Sequence, residues 1–134
     1  MTRIAILLGL GLLLVASTYA QQPAEDPHFT GKTTVMDGKD LTVARRRFEA
    51  GARAAWHSHD KGQLLMVEEG RLRTQKRGQS VKELGVGDSD YTAPNVVHWH
   101  GAAAGQAVVQ INVGFGGETK WMDKVTDAEY GIKK

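Results

Sequence analysis

Four of the five histidines in this chain stand in two short pairs, His57-Ser58-His59 and His98-Trp99-His100. Within each pair the imidazoles are two positions apart, the spacing that sends both side chains to one face of an extended strand. A fold that brings the two strands together therefore converges four imidazoles on one spot. Neutral imidazole is the commonest protein metal ligand. The chain has no cysteine, so a metal site here is limited to nitrogen and oxygen ligands. The same absence leaves no disulfide framework and no thiol nucleophile.

The rest of the pattern is that of a β protein. Short apolar or alternating runs are split by glycine turns: 41–49, 56–59, 63–68, 71–76, 81–84, 88–92, 96–101 and 107–113. Arg77-Gly78-Gln79-Ser80 has the composition of a hairpin turn. Many short strands with closely spaced turn signals point to a sandwich or small barrel. Only the tail suggests helix, with Asp123 or Thr126 as the cap of a short segment reaching Tyr130.

The N-terminus is set apart. Met1-Thr2-Arg3 is a positive start, residues 4–15 are uninterruptedly apolar, and Ala16 to Ala20 supplies small residues for a cut after Ala20. That order is the pattern of a secretory signal over 1–20, and the apolar run is short for a membrane span, which needs about 20 residues. The expectation is a secreted or periplasmic protein with no stable membrane association after cleavage. Residues 21–38 then form a polar arm, and 39–134 a single domain. The formal charge of +2 falls to +1 without Arg3, which gives no support to a nucleic-acid partner.

Gly51, five residues, His57, one residue, His59, three residues, Gln63, six residues, Gly70 resembles the first motif of the cupin superfamily, with Gln in place of the usual Glu. Gly87 and His98 keep the separation of the second motif, with Ala93 at the proline position and Asn95 at the glycine position. Asn is the residue besides glycine that best tolerates a left-handed backbone. Trp56-His57-Ser58-His59, His98-Trp99-His100-Gly101-Ala102 and Trp121-Met122-Asp123 are further similar to the small single-domain bacterial cupins that include manganese-dependent hydroxynitrile lyases.

The resemblance implies an all-β jelly-roll barrel of cupin type, and the tail adds a short C-terminal helix. It also implies one divalent metal ion per chain, manganese first and iron, nickel or zinc as alternatives, held by His57, His59, Gln63 and His98. His100 would then face the same cavity. At Gln110 the chain departs from those lyases, which carry a histidine there. An amide does not exchange a proton near neutral pH, whereas imidazole does.

Three neutral imidazoles and an amide carbonyl would leave the full 2+ charge on the ion, a stronger Lewis acid than with Glu and one that favours anionic ligands. His100 is the candidate general acid or base; the alternative is a hydrogen bond to His98 or to a structural water. Gln110, the second candidate catalytic residue, either orients substrate or satisfies a buried polar neighbour. In the run Arg45-Arg46-Arg47, alternation sends Arg46 to the face opposite the other two. Either it puts a guanidinium in the cavity to hold a carboxylate, or the strand is a charged, solvated edge.

Trp56 and Trp99 alternate away from the cavity. The N-terminal arm or a second subunit would cover them, and a homodimer or higher homo-oligomer is expected; the other possibility is packing between the two sheets of the same subunit. The function expected is metal-dependent lyase chemistry on a small hydroxyl or carbonyl compound. A cupin dioxygenase and a non-catalytic small-ligand binding protein are the alternatives.

Overall fold

Alternation and glycine breaks produce nine short strands in the computed structural model, which describes residues 38–131 together with His28 and Thr30. The expected leader over 1–20 lies outside the described residues, as does the arm over 21–38 apart from His28, Thr30 and Gly38. The strands are β1 (Thr42–Phe48), β2 (His57–His59), β3 (Gln63–Gly70), β4 (Leu72–Lys76), β5 (Lys82–Leu84), β6 (Ser89–Thr92), β7 (His98–Ala102), β8 (Val108–Gly114) and β9 (Thr119–Trp121). One helical turn, α1 (Asp127–Tyr130), follows them.

The strands form two antiparallel sheets, β1-β8-β3-β6 and β5-β4-β7-β2-β9. Eight of the nine fall where the sequence pattern places a run. The two sheets face each other as a jelly roll without closing into one continuous hydrogen-bonded barrel.

The two ends of this sandwich differ. At one end Leu65, Val67, Leu72, Ala102 and Val108 pack with Phe48 and Leu84 into a dry core. Each fully buried Leu or Val there is worth about 1.5–3 kcal/mol. Register puts the other end of the same strands together: Thr42 and Gln63 both pair with Gly114. A cavity lined by these three residues opens there.

Backbone geometry follows the residue types. Gly70 has φ +75°, and a Cβ on it would meet the Ala107 carbonyl oxygen at 1.9 Å, so only glycine fits between β3 and β4. Asn95 is the one non-glycine residue with positive φ (62°) among the described residues. It occupies the glycine position of the second motif in the left-handed conformation that Asn tolerates.

The cover over the tryptophans corrects the expectation of an arm or a second subunit. Trp56 and Trp99 do point away from the cavity and are buried, edge to face at 6.5 Å. What buries them is the chain's own C-terminal segment: Val125 and Tyr130 complete the cluster. Thr126 caps α1 through a capping box with Glu129, which also accepts a bond from Trp56 Nε1 at 3.2 Å. The Tyr130 hydroxyl donates to the Ala102 carbonyl at 2.7 Å, tying the helix to β7. Arg53 and Arg73 lie over the Tyr130 ring at 4.5 and 4.8 Å.

Candidate metal centre

β2 and β7 are adjacent in the second sheet, with His57 paired to His98. Both histidine pairs therefore point their rings into the space between the sheets, as alternation requires. The His57 ring centroid lies 4.3 Å from that of His98, 5.0 Å from His59 and 5.2 Å from His100. His57, His98 and His100 are buried, and their ligand nitrogens lie within 4.8 Å of one another, so the three could hold a metal ion. Gln63 opens β3 on the facing sheet and brings Oε1 to 3.1 Å from His98 Nε2.

The outer hydrogen bonds orient the rings. His57 Nδ1 donates to the Ala55 carbonyl at 2.8 Å, and His98 Nδ1 to the Val96 carbonyl at 3.1 Å. A neutral imidazole bonded in this way keeps a bare lone pair on Nε2. His59 Nδ1 sits 3.0 Å from the Thr119 hydroxyl, and its Nε2 is buried without a partner. A buried polar atom without a partner costs about 1–3 kcal/mol, so this nitrogen calls for a ligand. His59 stands outside the trio of His57, His98 and His100, yet with His57, His98 and the Gln63 carbonyl oxygen it offers the nitrogen and oxygen donors that a divalent ion takes.

His100 is held differently. Gln110 Nε2 donates to its Nδ1 at 3.1 Å, which places the proton of the neutral ring on Nε2. Asn112 Oδ1 accepts a second bond from the same Gln110 amide. Gln110 itself is fully buried, and its Oε1 has no partner.

Burial keeps all four imidazoles neutral. It is the largest effect on each, and neighbouring imidazoles add to it at His57, His98 and His100. His57 is lowered to about 4 and His98 to about 3; His100 falls well below its ordinary value, and His59 is lowered too. Neutral rings are what metal binding requires, since ligation and protonation compete for the same lone pair.

The cavity in front of the cluster has a volume of about 490 Å³, within the roughly 300–1,000 Å³ typical of small-molecule sites. Its wall includes His57, His59, Gln63 and His100, with Phe48 and Arg46 from β1. Trp121 on β9 forms another side, its ring 4.7 Å from that of His57 and its surface 65% exposed.

The family model for the cupin domain matches residues 44–114, more than half of the chain. The chain belongs to the cupin family. Among relatives, this cupin is 41% identical over 86 residues to an (R)-mandelonitrile lyase of Granulicella tundricola, a match covering 62% of this chain and 66% of the lyase, just under two thirds of its length. Among solved structures, it is similar to a cupin-like protein of Thermotoga maritima at 41% identity and a TM-score of 0.66, covering 68% of this chain and 71% of that one. A DMSP lyase of Ruegeria pomeroyi shares the fold at 15% identity and a TM-score of 0.56, over 62% of this chain and 43% of that one.

The structure brings together every site residue singled out in the sequence: His57, His59, Gln63, His98, His100 and Gln110. Three neighbours were not anticipated. Asn112 stands two positions after Gln110 and so shares its face, a signal that alternation carries. Thr119 and Trp121 lie on β9, whose three residues are all exposed and give no apolar pattern to find.

Proposed function

We propose that this cupin is an exported, metal-dependent lyase that makes or breaks a bond at the carbonyl carbon of a small hydroxyl or carbonyl compound. The observation that carries the reading is the buried, partnerless Nε2 of His59 beside the bare Nε2 atoms of His57 and His98. With Gln63 Oε1 they would hold one divalent ion, manganese by resemblance to the hydroxynitrile lyases among the cupins. When bound, that ion would supply a Lewis acid.

The chain's own residues supply positioning and proton handling. Phe48, edge-on to His100 at 5.9 Å, and Trp121 give apolar walls that hold the body of the substrate. His100 manages the proton at Nε2. As oriented by Gln110, it offers Nε2–H to a substrate oxygen. Turning the Gln110 amide over, with Asn112 following, sets Oε1 against Nδ1 and frees Nε2 to accept a proton.

The expected homodimer no longer draws on the tryptophans, which α1 covers. Its support is now the outer face of the first sheet, where Val43, Met66 and Tyr91 are exposed.

The test combines elemental analysis with turnover on protein purified without chelators. About one divalent ion per chain, lost in His57→Ala and retained in His100→Ala, is expected. Release of benzaldehyde from (R)-mandelonitrile should fall roughly 10²-fold or more in His100→Ala. Metal that is substoichiometric and indifferent to His57→Ala would overturn the metal centre. A full complement of iron with oxygen uptake and no cyanohydrin cleavage would replace the lyase reading with the dioxygenase one.

A further inference from the structure

The arginine run on β1 divides its charges between two surfaces. Arg45 is paired with Glu68 in a two-pronged bond, and Arg47 with Glu49, both on the outer face of the sheet. Arg46 points the other way and lines the cavity. It makes no ion pair or hydrogen bond among the described residues, although carboxylates lie within easy reach of its two sequence neighbours. Among the described residues the cavity wall carries no Asp or Glu, and Arg46 is its one formally charged side chain.

Register fixes where that charge sits relative to the histidines. Arg46 is directly opposite Gln110 across the β1–β8 ladder, and directly opposed residues on one face have Cβ atoms about 4.5–5.5 Å apart. Gln110 in turn holds His100. The Arg46 side chain therefore leaves its strand beside the residue that holds His100, and it is exposed where it lines the cavity, at the solvent-facing rim. Guanidinium presents a planar fork that matches a carboxylate with two parallel bonds. The metal ligands proposed above are all neutral, so among the described residues lining the cavity no carboxylate offsets the ion and the guanidinium.

We infer that Arg46 is a specificity residue that selects small carboxylates, gripping the carboxylate at the rim while the hydroxyl or carbonyl of the same molecule reaches the histidine cluster. The favoured substrate class is then a short hydroxy or oxo acid, bound in preference to its neutral counterpart. The inference rests on the metal-centred reading above, which supplies the second anchor.

The experiment is calorimetric titration of the metal-loaded protein with matched pairs: glycolate and glycolamide, lactate and lactamide, mandelate and mandelamide. Each pair differs in charge at nearly constant shape. The expected result is a preference of about 10- to 100-fold for at least one carboxylate over its amide. Arg46→Met should erase that preference, Arg46→Lys should restore part of it, and Arg45→Met, which removes the same charge from the outer face, should leave it intact. Equal binding within every pair, no binding of any carboxylate, or equal loss in Arg45→Met and Arg46→Met would overturn it. Carboxylate preference without any bond cleavage would sink the lyase proposal alone. Turnover of neutral mandelonitrile in a protein that does not distinguish the pairs would sink this inference alone.

Discussion

Gln110 donates its amide proton to Nδ1 of His100 across 3.1 Å, with both side chains buried. Through that bond a side chain that cannot itself exchange a proton decides which nitrogen of its neighbour carries one. Asn112 accepts the other amide proton and so keeps Gln110 from turning over freely.

Removing the donor should move the proton. In Gln110→Leu, Nδ1 of His100 loses its partner, and the ring is expected to populate both neutral tautomers. Long-range proton–nitrogen correlation spectra of the metal-free protein read this directly through the two ring-nitrogen shifts. An unchanged His100 spectrum in Gln110→Leu would mean that Gln110 is a spectator.

Acid should destabilise the metal-free protein early. The buried histidines have folded-state pKa values depressed from 6.5, to about 4 for His57 and about 3 for His98. Below about pH 6.5 the unfolded chain takes up protons that the folded chain refuses, so stability is full above that point and declines as pH falls towards 4 and 3. Urea midpoints on chelator-treated protein should drop steadily across this window. A flat midpoint between about pH 7 and pH 5 would show that the rings are not desolvated as described.

The C-terminal turn should be worth far more than its length. Tyr130 is fully buried against Trp99 and bonded to Ala102. Tyr130→Ala is expected to cost about 3–5 kcal/mol, the range for truncating a large buried aromatic, and Thr126→Ala about 1 kcal/mol through loss of the cap. Chemical denaturation measures both. A loss under about 1 kcal/mol for Tyr130→Ala would mean that something other than α1 seals the tryptophans.

Two left-handed positions should respond oppositely. Gly70→Ala forces a methyl group onto the Ala107 carbonyl and should prevent soluble expression or lower the melting temperature severely. Asn95→Gly, at φ 62°, should be neutral within about 0.5 kcal/mol. Comparable losses at both would refute the steric account of Gly70.

Much of this molecule is legible without coordinates because its signals are local. Histidines two apart on a strand share a face whatever surrounds them, and Asn95 announces its backbone conformation by residue type. Eight strands were marked by alternation bounded by glycine. β9 was not, because Thr119, Lys120 and Trp121 are all exposed and owe their strand to pairing with β2 alone. The cover over Trp56 and Trp99 was misassigned for a related reason. Alternation states which way a side chain points, but what lies over it is settled by a four-residue helix that begins 28 positions after Trp99 and 71 after Trp56. The family resemblance set His100 apart from the other imidazoles, but the bond that fixes its proton comes from one amide across the sandwich and has no local signal.

Trp121 gives the protein an optical handle. Trp56 and Trp99 emit from a dry pocket behind the second sheet, while Trp121 lies against His57 at the mouth of the cavity. An ion held by His57, or a guest against the cavity wall, should perturb that indole more than the other two. The native chain thus carries its own ratiometric gauge of occupancy, readable in real time without a label.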